Sequence, residues 1–235
     1  MSPSRREFLQ FFSLGLALLG VPAHGATKRL RIGTIGSGNV GSTLGRIWAK
    51  AGHQVMFSSL DLEQDKKLAA SIGPNARAGT PKEAAAFGEV VLVSVPYRAL
   101  PDVGKDVGAL LKGKVVIDTC NPFPSRDGEI ANWAREKGAG LASQELLPGA
   151  RLVRTFNAVS WSTMADAHKR TERSAMPMAS DDGEAVKVVS ELVREIGFEP
   201  VLVGPLAMGK HLMPGTPLAG EHRPEEIRRI AATLK

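Results

Sequence analysis

One cysteine, Cys120, stands in 235 residues, so no intramolecular disulfide framework can form. Aromatic residues make up only 5% of the chain and no period repeats along it, which excludes an aromatic nucleic-acid platform and a tandem-repeat architecture. The apolar segment from Phe11 to Val21 is shorter than the roughly 20 residues a membrane-spanning helix needs. His168, His211 and His222 lack the spacing of metal ligands. No charge of one sign is concentrated: the formal net charge is +6, and the basic groups Lys169-Arg170 with Arg173, and Arg228-Arg229, are short and separated. They read as solvated surface rather than as a nucleic-acid footprint. What remains, 43% hydrophobic and 23% charged, suits one globular domain with or without a small appendage.

Residues 1–25 are set apart from that domain. Arg5-Arg6 precede Phe8-Leu9, the apolar segment follows, and small residues at Ala23-His24-Gly25-Ala26 offer a signal-peptidase site, the pattern of an export signal. The paired arginines resemble a twin-arginine signal, addressed to the Tat translocase that moves folded proteins. The expected destination is the periplasm. Removing two arginines and one glutamate would lower the charge from +6 to +5, and an exported chain without disulfides must hold together by its packed core.

After this segment comes Leu30-Arg31-Ile32-Gly33-Thr34-Ile35-Gly36-Ser37-Gly38-Asn39-Val40-Gly41, a β-rich run opening into G-x-G-x-x-G. Such glycines allow a sharp turn, backbone approach to a pyrophosphate and close helix packing, with the helix N-terminus facing the phosphates. Three glycines alone are weak evidence in a chain with 25; the flanking elements decide. Helix spacing from Ser42 to Ala51 through Leu44, Ile47 and Trp48, a stop at Gly52, and a strand at Gln54–Phe57 complete a βαβ unit. Where that second strand ends, an acid would bind a ribose 2′-OH and hydroxyls or cations would accept a 2′-phosphate. Ser58 and Ser59 stand there, and Asp61 with Gln64 reads as a helix cap. The cofactor expectation therefore leans to NADP(H) over NAD(H).

The alternation continues. A short strand is expected at Ala76–Gly79, a capped helix from Thr80-Pro81-Lys82-Glu83, and a buried strand Val90–Val95 stopping at Pro96-Tyr97. A helix from Arg98 to Leu111, the strand Val115–Asp118, and strands at Leu152–Asn157, Ala175–Ala179 and Pro200–Val203 follow. Ser180-Asp181-Asp182 caps a helix to Ile196, and Pro224–Leu234 is helical; residues 124–150 and the segment after Gly204 show no regular pattern. Such alternation predicts an α/β fold, a doubly wound, mostly parallel Rossmann-type sheet with a small C-terminal extension. The expected division is a nucleotide-binding domain over 29–157 and a smaller α/β part over 158–235 that completes the sheet. Ligands in such sheets lie beyond the carboxyl ends of the strands, which draws attention to Val95-Pro96-Tyr97 and to Asn121-Pro122. Asp118 reads as a strand-end hydrogen-bonding residue, His53 as a turn residue and Cys120 as a buried small side chain.

The ordered set Ile35–Gly41, Gly52-His53-Gln54-Val55, Val93-Ser94-Val95-Pro96, Val115–Asp118 with Asn121-Pro122, Arg154-Thr155-Phe156-Asn157 and Val203-Gly204-Pro205-Leu206 resembles the F420-dependent NADP oxidoreductase-like family over roughly residues 29–206. The resemblance extends to the NADPH-binding reductase domain of six-transmembrane metalloreductases. It implies NADP(H) as cofactor and hydride exchange with F420, a deazaflavin, or a flavin as co-substrate. It places Gly36, Ser37, Gly38, Asn39, Val40 and Gly41 around the pyrophosphate and Ser58 and Ser59 at the 2′-phosphate. Val95, Pro96, Tyr97, Asn121, Pro122, Asn157 and Ala158 fall at the nicotinamide half. Ser59 departs from the arginine often found there, and Met213–Pro217 departs from a more helical C-terminal part.

Three functions fit these residues: an exported NADP(H)-dependent reductase, an exported NADP-binding protein without turnover, and an NADP-dependent dehydrogenase of a small substrate. The last lacks a lysine or histidine marked as proton donor. The electron acceptor and the oligomeric state, a homodimer included, stay open. Ser59→Arg is expected to raise NADPH affinity relative to NADH, because bonds to ionised partners are about twice as strong as neutral ones; titration of both nucleotides measures the ratio, and an unchanged ratio would place the phosphate site elsewhere.

Overall fold

The computed structural model of the chain describes residues 28–234; the expected export signal lies outside the described residues. The first half runs β1 (Arg31–Ile35), α1 (Asn39–Lys50), β2 (Gln54–Ser58), α2 (Leu62–Ile72), β3 (Ala76–Ala78), α3 (Pro81–Phe87), β4 (Val90–Val93), α4 (Leu100–Leu111) and β5 (Val115–Asp118). Next come α5 (Pro124–Asp127), α6 (Glu129–Lys137), α7 (Ala139–Leu146), β6 (Arg151–Arg154), α8 (Trp161–Ala167), β7 (Ala175–Ala179), α9 (Gly183–Ile196), β8 (Glu199–Gly204) and α10 (Pro224–Ala231). The strands form one eight-stranded sheet in the order β3-β2-β1-β4-β5-β6-β7-β8. Pairing is parallel from β3 to β6, antiparallel between β6 and β7, and parallel again between β7 and β8. This is the doubly wound Rossmann-type arrangement, with β7 and β8 added to the same sheet.

Both faces are covered, which explains why the central strands are apolar without interruption. Side chains alternate across a strand, so Val90 and Leu92 of β4 join one core and Val91 and Val93 the other. On the first face Leu44 and Trp48 of α1, Met164 of α8 and Val189, Leu192, Val193 and Ile196 of α9 pack over Ile32, Val55, Phe57 and Ile117. The buried positions of α9 recur at helix spacing, one stripe turned to the sheet. The Trp48 indole, fully buried, donates to the Leu192 carbonyl at 3.0 Å, which satisfies its one polar atom. On the second face α4, α6 and α7 cover Val91, Val93 and Val116 through Leu100, Val107, Leu111, Ala134 and Ala142.

The caps form as their residue types require. Thr80 and Glu83 make a reciprocal capping box with Pro81 in the first turn, and the Asp61 carboxylate accepts from the Gln64 N–H at 2.9 Å. Asp182 accepts from the Ala185 N–H at 2.8 Å at the start of α9. Some boundaries differ from the sequence expectation. Helix α1 begins at Asn39, directly on the glycine turn, because the last glycine lies inside the helix. Strand β6 ends at Arg154 rather than Asn157, since Phe156 adopts φ 62°, outside extended geometry. The irregular stretch 124–150 holds three helices; each is short and they are separated by Gly128 and Gly138, so no long apolar period accumulates. Pro177 sits inside β7 without breaking it, because pairing to β6 is confined to Arg154 and Ala179.

Arg151 of β6 pins the start of α9: its guanidinium meets the Asp182 carboxylate at 2.6 Å and 3.0 Å. That pairing, then the Ala185 N–H, holds the Asp182 pKa down at about 2. A carboxylate with a depressed folded pKa contributes stability above its ordinary pKa and loses it as pH falls toward the folded value. The urea midpoint of the wild-type protein is therefore expected to fall more steeply between pH 4 and pH 2 than that of Asp182→Asn; equal slopes would remove this pair from the acid response.

Candidate nucleotide-binding site

Where β1 enters the turn, Gly36 has φ 94°, and a Cβ there would lie 2.1 Å from the Ser94 carbonyl oxygen, so both conformation and space require glycine. A Cβ on Gly41 would meet the Gly36 carbonyl oxygen at 1.9 Å, which seats α1 directly on the turn. Gly38 is the opposite case: nothing lies within 4 Å of its Cβ position and the residue is exposed, leaving an open cradle over the backbone. The first turn of α1 carries no acidic residue, and Gly38 offers no side-chain cap. Its N–H groups and the positive end of the helix dipole therefore face that cradle, as an anion such as a pyrophosphate requires. Ser37 is buried, Asn39 exposed and Val40 half-buried at its rim.

Farther along the same edge, Val95 is half-buried and Pro96 exposed after β4. The ends of β5 and β6 are tied together by one guanidinium. Arg154, with no exposure, meets Asp118 at 2.6 Å and donates to the Cys120 carbonyl at 2.8 Å, the Asn121 side chain at 3.1 Å and the Gly209 carbonyl at 3.1 Å. Asp118 in turn accepts from the Cys120 N–H at 2.8 Å, as its strand-end position suggests. Asn121, so held, donates to the Asn157 carbonyl at 2.9 Å. Pro122 and Ala158 are buried beside these residues.

Asn157 is the unsatisfied member. Its side chain is buried, yet neither Oδ1 nor Nδ2 has a hydrogen-bond partner, an arrangement that costs on the order of 1–3 kcal/mol until a ligand or water completes it. The preceding residue is Phe156, whose left-handed backbone costs on the order of 1–3 kcal/mol. Its ring is buried edge-on against Trp48, with centroids 6.1 Å apart, and burying such a ring returns about 1.5–3 kcal/mol. Core packing thus sustains a strained turn next to an unpartnered, buried amide just beyond the end of β6. An amide with a free donor and a free acceptor is complementary to a carboxamide. The open cradle at Gly38 and the orphaned amide of Asn157 fit the two ends of a nicotinamide dinucleotide.

Two residues grouped with the site from the sequence are placed elsewhere. Tyr97 is fully buried in the second core, its hydroxyl within 3.2 Å of the Ser143 hydroxyl, and burial pushes its pKa far above the ordinary phenol value. It anchors the turn after β4 and does not line the cleft. Ser58 is also fully buried and donates to the Thr34 carbonyl at 2.8 Å, a strand-to-strand bond that leaves no proton for a phosphate. Ser59, half-buried, keeps its place beyond β2. The sequence reading missed Asp65, a fully buried acid whose carboxylate receives the hydroxyls of Ser37 and Ser59. Its position one turn after the Asp61 cap was the available signal. Cys120 is buried and donates to the Val93 carbonyl, and burial raises its thiol pKa well above the usual range, so it is no nucleophile. His53 accepts from the Leu30 N–H and pairs with Glu195 at 2.7 Å, a structural role. Among the described residues no cluster of metal ligands exists.

Residues 31–122 match the model of the family described as NADP oxidoreductase, coenzyme F420-dependent. Over that segment the chain is similar to the F420-dependent NADP oxidoreductase-like family. It is similar to a protein named F420-dependent NADP reductase from Methanothermobacter thermautotrophicus, 27% identical over 78% of this chain and 84% of that protein. It is also similar to Metalloreductase STEAP3 of Rattus norvegicus, 28% identical over 77% of this chain but only 35% of that longer protein. The crystal structure of the hypothetical protein SMa0349 from Sinorhizobium meliloti superposes with TM-score 0.67, at 26% identity, over 82% of this chain and 93% of that one.

Arg154→Met should cost about 3–5 kcal/mol, because Asp118 would remain as a buried, unpaired charge. The double variant with Asp118→Asn should regain part of this. Urea unfolding of the three proteins measures both steps, and a single-variant loss below about 1 kcal/mol would show that Arg154 does not hold the strand ends.

Proposed function

We propose that the chain is an NADP(H)-dependent oxidoreductase that passes a hydride between the nicotinamide and a planar deazaflavin or flavin acceptor. The observation that carries this reading is the buried, unpartnered amide of Asn157 on the same sheet edge as the open glycine cradle. The match of residues 31–122 to the F420-dependent NADP oxidoreductase model and the name of the archaeal relative, F420-dependent NADP reductase, favour this chemistry over others the fold supports. Hydride transfer between two flat heterocycles needs no proton donor at the reacting carbon.

When bound, NADP(H) supplies the hydride. The chain's own residues do the rest. The N–H groups of Ser37, Gly38, Asn39 and Val40 hold the pyrophosphate, and Ser59 stands at the adenosine end. Asn157 hydrogen-bonds the carboxamide and so fixes which face of the ring is presented, while Asn121 holds the Asn157 backbone in place. Val95 and Pro96 border the ring and exclude water. Holding both reactants in one geometry removes an entropic part of the barrier. The N-terminal sequence adds a second element to the proposal: export in the folded state through the Tat translocase to the periplasm, with the nucleotide carried along in its site.

Nucleotide extraction from the purified protein and calorimetric titration with NADPH are expected to show one bound nucleotide per chain. Stopped-flow oxidation of bound NADPH by F420, FMN or FAD should identify the acceptor class. Asn157→Ala should slow hydride transfer about tenfold or more, with a smaller effect on binding, since the pyrophosphate contacts persist. Absence of binding by either NADPH or NADH at millimolar concentration would overturn the proposal, and binding without reduction of any acceptor would leave a nucleotide carrier instead.

A further inference from the structure

The adenosine end of the site contains an acid that the glycine motif does not call for. Asp65 lies in the first turn of α2 with no solvent exposure. One carboxylate oxygen receives the hydroxyl of Ser37, in the glycine turn, and the other receives the hydroxyl of Ser59, the first residue beyond β2, at 2.8 Å. Among the described residues no lysine or arginine pairs with it. Lys66 is held by Glu63 at 2.7 Å, and Lys67 lies about 200° round the helix from Asp65, on the exposed side.

A serine hydroxyl has one proton. Ser37 and Ser59 direct theirs to Asp65, Ser58 directs its own to the Thr34 carbonyl, and the Asp61 carboxylate takes the Gln64 N–H. The place where a 2′-phosphate would sit is thus surrounded by acceptors and a negative charge. A phosphate needs donors and cations; a ribose 2′-OH can donate to the lone pair of Ser59 and is not repelled by the carboxylate.

We propose that Asp65 sets the nucleotide preference of this chain: by holding the protons of Ser37 and Ser59 it withholds donors from the 2′-phosphate, so that NAD(H) binds about as well as NADP(H). The inference rests on the nucleotide-binding function proposed above and concerns only its adenosine end.

The test is the ratio of NADH to NADPH dissociation constants, measured by calorimetry on the full chain and on two variants. In the wild type the two constants should agree within about tenfold. Asp65→Asn removes the charge and replaces one acceptor oxygen with a donor, so a serine proton is released toward the ligand, and NADPH should gain at least tenfold relative to NADH. Ser59→Ala should act in the opposite direction: it leaves a carboxylate oxygen without its donor beside the 2′ position and should lower NADPH affinity relative to NADH about fivefold. A brace that merely ties α2 to the glycine turn would lower the melting temperature of both variants and leave both ratios at the wild-type value, which would overturn the proposal. So would a wild-type preference for NADPH above tenfold. Ser59→Ala decides the question if Asp65→Asn does not fold. Failure of the wild type to bind either nucleotide would overturn the proposed function itself, whereas tight NADPH binding with unchanged ratios would overturn only the role of Asp65.

Discussion

The buried guanidinium of Arg154 is the contact on which the organisation of the sheet edge depends. A charge with no solvent exposure is tolerated only when its partners are complete, and here they come from four places: Asp118 at the end of β5, the Cys120 carbonyl, the Asn121 side chain and the Gly209 carbonyl. Two strand ends and the segment that follows β8 are thereby fixed against one another. Because Asn121 also holds the Asn157 carbonyl, the position of the unpartnered amide is set by an ion pair that does not itself face the cleft.

Keeping that amide buried and unpartnered beyond the end of β6 has a cost. The left-handed backbone at Phe156 and the orphaned side chain of Asn157 are both unfavourable taken singly, and each is offset elsewhere, by the ring of Phe156 against Trp48 and by the bonds that converge on Asn121. Unfavourable local features sustained by a well-packed surround are what a preorganised binding site requires. The two cores serve this arrangement differently. The α1 and α9 side carries Trp48 and Phe156, while the α4, α6 and α7 side takes Tyr97 inward and so positions the turn bearing Val95 and Pro96.

Much of the fold is legible in the sequence. Continuous apolar runs such as Val90–Val93 mark strands buried on both faces, and the Thr80 and Asp182 caps mark helix starts. The glycine turn marks its own place, since the need for glycine at positions 36 and 41 is local. The helices of residues 124–150 were not legible, because each is too short to establish a period. Tyr97 and Ser58 were misplaced for another reason. Proximity in sequence to a strand end does not say which way a side chain turns, and both turn into the core.

The sequence alone therefore determined the order of elements, the doubly wound sheet and the location of the phosphate cradle, because these follow from periodicity, capping and backbone sterics within a few residues. Tertiary structure decided what the cradle is surrounded by. Asp65 meets Ser37 across 28 residues and Arg154 meets Asp118 across 36, and neither contact has a local cause. They exist because helices and strands far apart in the chain are packed to the same edge of one sheet, where a buried proton donor must find an acceptor and a buried charge must find its counter-charge.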